Sequence, residues 1–203
     1  MFFFKNNKNI NKSYEVIKLM SEKTFKILVA GHFGAGKTTF VRTISQIETV
    51  NTEKKTTLAE EKAKKETTTV AMDFGEYTNK YGHKLRIFGI PGQERFSFMW
   101  PILAKDTKGF VFLIDSTDTS RWFEIPKQLK ILMKVSPSAP ILFVANKVDL
   151  PDAMSAEEVR QKLKIPPHIK VIEGIATDKN MVEKILDELT EEILKRNPEL
   201  KEI

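Results

Sequence analysis

Two short runs in this chain carry residue types that could do chemistry. The first is Gly31-His32-Phe33-Gly34-Ala35-Gly36-Lys37-Thr38, which spells G-x-x-x-x-G-K-[ST]. Closely spaced glycines let backbone N–H groups converge on an anion, and a helix N-terminus adds the positive end of its dipole. Lys37 would then reach the β- and γ-phosphates of a nucleoside triphosphate, and the Thr38 hydroxyl would ligate Mg²⁺. The expected phosphate-contacting set is Gly31, Phe33, Gly34, Ala35, Gly36, Lys37, Thr38 and Thr39, with Lys37 also acting on the reacting phosphate. The plainer alternative is a glycine-containing turn that merely opens a helix. The second run is Asn146-Lys147-Val148-Asp149. An aspartate there can accept from both N1–H and the exocyclic N2–H of guanine, a pairing adenine does not offer. Asn146 would brace the phosphate loop, and the Lys147 stem would cover the flat base. The four-letter pattern alone is weak; its place at a strand end, about a hundred residues after the loop, strengthens it.

The elements that must position these runs follow from hydrophobic patterning. Phe25–Ala30 is an apolar strand ahead of the loop, and Phe40, Val41 and Ile44 recur at helical spacing behind it. Val70–Thr78 and Leu85–Phe88 read as strands joined by Asn79-Lys80-Tyr81-Gly82-His83, hence a hairpin and one antiparallel pair. Gly109–Ile114 and Ile141–Ala145 are near-continuous apolar runs, the signature of strands buried on both faces, and Ile169–Ile172 is a shorter one. Helical patterns fall at Glu94–Leu103, Trp122–Val135, Ser155–Leu163 and Val182–Leu194, and Ser155-Ala156-Glu157-Glu158 is a capping box. The six strand runs predict an α/β P-loop fold: a doubly wound, mostly parallel six-stranded sheet, one antiparallel edge strand, helices on both faces and ligands at the strands' C-terminal edge.

Composition sets the outer bounds. The 203 residues suit one domain with tails or insertions. No run approaches the roughly 18 apolar residues of a membrane span. Zero cysteines exclude disulfides and thiol chemistry and fit a cytoplasmic location. The net charge of +6 comes mostly from Lys mixed with Glu, without an Arg-rich or aromatic-interleaved patch, so no nucleic-acid partner is expected. Residues 1–23 read as a flexible tail or a mis-assigned start, with Phe2-Phe3-Phe4 contacting a membrane surface as a third option. Residues 24–203 form the domain, with a long polar insertion at about 48–66.

With these motifs in place, the chain resembles the Ras-like small GTPases. Gly31–Thr38 matches their first motif and Asn146–Asp149 their fourth. Pro91-Gly92-Gln93-Glu94-Arg95-Phe96 looks like the third motif, at the start of switch II, and Gly174-Ile175-Ala176 falls where a backbone N–H, assigned to Ala176, would read guanine O6. Thr67-Thr68-Thr69 lies where switch I would be; Thr69 aligns best with the Mg²⁺-ligating threonine and Thr68 is the alternate. The likeness spans roughly residues 24–196. It is strongest to a prokaryotic group that includes the bacterial gliding-motility GTPase, through T-T-T-V-A-M-D-[FY]-G and G-x-P-G-Q-E-R-F patterns. What the resemblance implies is GTP and GDP as ligands, Mg²⁺ as cofactor held by Thr38 and Thr69, Gly92 donating its N–H to the γ-phosphate, and Gln93 orienting the attacking water. It also implies a protein effector or regulator at the switch regions, a roadblock-type protein among the candidates.

Three departures qualify that picture. The third motif usually opens with an aspartate that holds a Mg²⁺-bound water, and this chain has Gly89; Asp115, through water, is the substitute considered. Phe33 stands beside the γ-phosphate position, where it either obstructs an incoming arginine or packs against switch II. No arginine occurs between Thr43 and Leu85, so switch I cannot donate one in cis; Arg42, Arg86 and Arg95 remain, none clearly placed. Slow hydrolysis is therefore expected. The rival readings are a GTP/GDP-holding scaffold with negligible hydrolysis and, more distantly, a P-loop kinase or ATPase. The last five residues, 199–203, hold no cysteine for prenylation, which disfavours lipid-anchored traffic.

Overall fold

A computed structural model describes residues 24–51 and 72–200. The chain builds β1 (Thr24–Ala30), α1 (Lys37–Ile44), β2 (Val50–Asn51), β3 (Asp73–Thr78) and β4 (Lys84–Gly89). Then follow α2 (Trp100–Ala104), β5 (Gly109–Asp115), α3 (Ile125–Val135), β6 (Ile141–Asn146), α4 (Ala156–Leu163), β7 (Val171–Gly174) and α5 (Lys179–Arg196). The sheet order is β2-β3-β4-β1-β5-β6-β7. β4, β1, β5, β6 and β7 are parallel, and β3 is antiparallel to β4. The expected six-stranded sheet with one antiparallel strand is thus present. The two residues of β2, inside the stretch expected to be an insertion, add outside β3.

Strict alternation along the central strands divides the core between the two faces. Ile27, Val29, Val111 and Leu113 pack toward α1 and α5, whereas Leu28, Phe110, Phe112 and Ile114 pack toward α2, α3 and α4. Every residue of β5 is buried, as its unbroken apolar run requires. β1 lies between β4 and β5, so the chain winds outward from it in both directions. Gly31–Gly36, leaving the C-terminal end of β1, therefore sits at the topological switch point where doubly wound sheets bind ligands.

Differences from the expected elements have local causes. The Glu94–Leu103 helix is split into a 3₁₀ segment, Glu94–Met99, and α2, with Pro101 in the first turn of α2; Trp122–Val135 divides likewise ahead of Pro126. β7 begins two residues later than the Ile169 start, because Ile169 N–H closes a turn onto Pro166 O at 3.0 Å. The Ser155 capping box forms with both of its bonds, as read from the sequence. The expected N-terminal tail, most of the polar insertion and Thr67–Thr69 lie outside the described residues.

Candidate functional site

A cavity of about 380 Å³ opens at the C-terminal edge of the sheet. Phe33, Gly34, Gly36, Lys37, Thr38 and Thr39 line it from the loop and α1, and Gly92 and Gln93 from the segment after β4. Lys37 is almost wholly buried, with Nζ donating to Gly31 O at 2.9 Å and His32 O at 2.6 Å. Burial lowers its pKa to about 8. A buried cation resting on two carbonyls is a ready counter-charge for phosphate oxygens. Gly92 packs directly on this lysine: a Cβ there would fall 2.6 Å from Lys37 Nζ and 2.7 Å from Phe33 N. Only a residue without a side chain lets that backbone approach. The buried Trp100 indole donates to Pro91 O at 2.8 Å and anchors the segment just ahead of it.

The loop is held from below by side chains the sequence reading did not pick out. Gly31 N–H donates to Gln128 Oε1 at 2.9 Å. Asp115 N–H donates to His32 Nε2 at 3.2 Å, so Nε2 is the acceptor and Nδ1, 2.9 Å from Phe33 O, carries the proton. Burial lowers the His32 pKa and favours this neutral form. His32 fills a freely variable motif position and Gln128 sits on a distant helix, so neither carried a local signal. Two arginines also come near. Arg95 lines the cavity and lies over the Phe96 ring at 4.7 Å. Arg121, which the sequence reading passed over, lies 5.4 Å over the half-exposed Phe33 ring and pairs with Glu124 at 3.1 Å.

The Asn146 motif joins the loop through a single buried amide. Asn146 Nδ2 donates to Ala35 O at 2.9 Å, while its Oδ1 accepts from Ala176 N–H at 2.9 Å. Thr43 Oγ1, on α1, donates to Ala176 O at 2.7 Å. Gly36, at φ +98°, leaves room for the Asn146 amide where a Cβ would collide with it. Asn146 thus ties the ends of β1, β6 and β7 together, as its expected bracing role requires. The Ala176 N–H that was expected to read guanine O6 is directed at Asn146 instead. Lys147 adopts φ +70°, a left-handed conformation uncommon outside glycine, and its ammonium pairs with the Asp115 carboxylate. Burial pushes the Asp115 carboxyl up, but bonds from Lys147 and Thr117 outweigh it and hold the group below the usual carboxylate range. Asp115 is therefore engaged at the Lys147 side of the site, which corrects its assignment as a metal substitute. Asp149 is exposed, and among the described residues its carboxylate has no hydrogen-bond partner.

For a metal, the relevant donors are Thr38 and Asp73. Thr38 Oγ1 donates to Asp73 Oδ2 at 2.6 Å, and both residues line the cavity. A hydroxyl and a carboxylate are the hard oxygen groups that Mg²⁺ prefers, so the residues present fit that ion. Thr69, the second expected ligand, lies outside the described residues.

Residues 12–193 match the family described as Arf: ADP-ribosylation factor family. The chain belongs to the ADP-ribosylation factor family. Its members are small GTPases, GTP-binding molecular switches that hydrolyse GTP. Over 148 residues this member is 31% identical to ADP-ribosylation factor-like protein 1 of Saccharomyces cerevisiae, covering 71% of the chain and 72% of that relative. The solved structure of the Arl6 BBS3 small GTPase from Trypanosoma brucei, with bound nucleotide analogue GppNp, superposes with a TM-score of 0.66. It covers 86% of this chain and 100% of its own at 18% identity, a likeness of fold. The Ras-like resemblance thus holds at superfamily level, while the likeness to the bacterial gliding-motility group is not supported and gives way to the ADP-ribosylation factor family. Short switch motifs cannot by themselves place a chain within a superfamily.

Proposed function

We propose that this family member binds GTP and GDP with Mg²⁺ in the cavity over Lys37 and hydrolyses GTP slowly to GDP and phosphate. The observation that carries this is the convergence of Lys37, Thr38, Gly92 and Gln93 on one cavity that Asn146 ties to the base motif. Lys37 neutralises phosphate charge, Gly92 offers its N–H to the terminal phosphate, and Asp149 accepts from the guanine edge. Gln93 orients the attacking water. Thr38 and Thr69 would hold Mg²⁺, which would supply charge neutralisation to the phosphates. Loss of the terminal phosphate releases Gly92 and Thr69, which is the switching event. Arg95 and Arg121 are both engaged on aromatic rings, and neither is hydrogen-bonded toward the Lys37 end of the cavity among the described residues. Turnover of minutes or longer is expected without an arginine aimed at the phosphates. A multiple-turnover phosphate-release assay tests this; turnover near about one per second would contradict it.

A second reading, a GTP/GDP-binding scaffold with negligible hydrolysis, is favoured by Gly89 in place of a carboxylate and by Phe33 at the cavity rim. The same assay separates the two over long incubation. The domain limits, 24–203 with a partner-facing segment at about 48–66, belong to the proposal as well. So do a cytoplasmic location and a protein regulator, of the roadblock type among others, at the switch face. Phe98, Ile102 and Phe123 are exposed apolar residues in and after switch II, which suits a protein partner. No helix among the described residues is long and apolar enough to cross a membrane. A pull-down comparing GDP with a non-hydrolysable GTP analogue tests the partner.

A further inference from the structure

The first freely variable position of the phosphate loop holds a histidine, His32, that is only 3% exposed. Its carbonyl and both ring nitrogens are engaged. The carbonyl accepts from Lys37 Nζ at 2.6 Å, Nδ1–H donates to Phe33 O at 2.9 Å, and Nε2 accepts from Asp115 N–H at 3.2 Å. A trans peptide unit points its carbonyl and its N–H in opposite directions. With Phe33 O turned onto the buried ring, the Gly34 N–H is directed away from it, and Gly34 lines the cavity. The Nε2 bond fixes the end of β5, where the Asp115 carboxylate pairs with the Lys147 ammonium. One residue therefore joins the phosphate loop, the buried lysine and the strand end that holds Lys147.

We propose that His32 is a positioning residue for the nucleotide, shaping the phosphate loop only as a neutral imidazole, so that acid loosens the grip. This rests on the guanine-nucleotide reading above and deepens it. A protonated ring has two N–H groups and no acceptor. Nε2–H would then meet Asp115 N–H donor to donor, and the buried backbone N–H would lose its partner. Burial disfavours the charged ring most and holds its pKa below the usual imidazole value of about 6.5. Lys37 on α1 acts in the same direction. The Phe33 carbonyl, Asp115 at the end of β5, and Asp118 and Glu124 between β5 and α3 oppose the shift without reversing it. The sign follows: support for the loop is complete above the ordinary imidazole pKa and is lost as pH falls below it.

The test is the release rate of a fluorescent GDP from the purified full chain in millimolar magnesium, between about pH 7.5 and about pH 5.5. The GDP phosphates titrate alike with every chain, so the quantity read is the ratio of wild type to variant. His32→Gln places an amide oxygen near the Nε2 position and does not titrate. The ratio of wild-type to His32→Gln release should rise about threefold to tenfold across that window, a pH profile that a merely structural role would not give. His32→Leu removes both ring bonds and should release GDP about tenfold faster than wild type at neutral pH. A wild-type to His32→Gln ratio that stays constant overturns the proposal, as does wild-type release that slows in acid relative to this variant. Should a variant fail to fold by circular dichroism, the nitrogen NMR spectrum of the wild-type imidazoles decides. A His32 Nε2 that is unprotonated at neutral pH and titrates in step with release supports the proposal; one already protonated there, or titrating out of step, overturns it. A wild-type chain that retains no GDP at any pH removes the guanine-nucleotide reading itself, and this proposal with it.

Discussion

The two ends of the proposed nucleotide site are built differently. At the base end the motif is intact, and one buried amide, Asn146, connects the loop after β1 to the turns after β6 and β7. At the other end position 89 is a glycine, and the Asp73 carboxylate lies across from it on the paired strand and accepts from Thr38 Oγ1. A site in space is thus not the same as a motif in sequence. At the base end Asn146 joins three elements at once.

The largest expected effect is at the shared centre. Lys37→Ala removes a buried cation that would pair with two phosphates and should weaken binding of a non-hydrolysable GTP analogue by at least about 100-fold in calorimetric titration, since bonds to charged groups contribute about 1.5–3 kcal/mol each. Next comes the base end: Asp149→Asn should move preference from guanine toward xanthine nucleotides by about 100-fold in competition, and an unchanged preference for GDP would break the base assignment. Asn146→Ala should then cost about 2–4 kcal/mol in denaturant unfolding of the free protein, because it leaves Ala35 O and Ala176 N–H buried without their partner. The single Thr43 bond is the smaller control, with Thr43→Val costing about 1 kcal/mol in the same experiment.

A pH series sharpens the contrast from the phosphate side. Free Lys37 is lowered to about 8, and bound phosphate favours its charged form. Binding therefore takes up a proton above that pH, and GDP affinity should fall by up to about tenfold per pH unit as pH rises from 8 toward 10. Affinity that holds flat across this window would mean that Lys37 does not meet the phosphates.

Much of this was legible in the chain because the physics is local. Strands buried on both faces must be continuous apolar runs, and a phosphate loop must put glycines where backbone turns left-handed. The residues that escaped, His32, Gln128 and Arg121, act through contacts between elements distant in sequence. Asp73 is the instructive case. The hairpin around Asn79–His83 pairs Thr78 with Lys84, and counting outward from that turn places Asp73 opposite Gly89. That a carboxylate faces position 89 was encoded, but only in the register between strands. β2 was hidden for the opposite reason: two residues in a polar stretch have too little pattern to announce a strand.

The central claim is that this cavity holds a guanine nucleotide, and a competition titration tests it most directly. Fluorescent GDP bound to the full chain in millimolar magnesium should be displaced by unlabelled GDP and GTP, while ADP and ATP should need concentrations roughly a thousandfold higher or more. Displacement by ADP at the same concentration as GDP would contradict the claim.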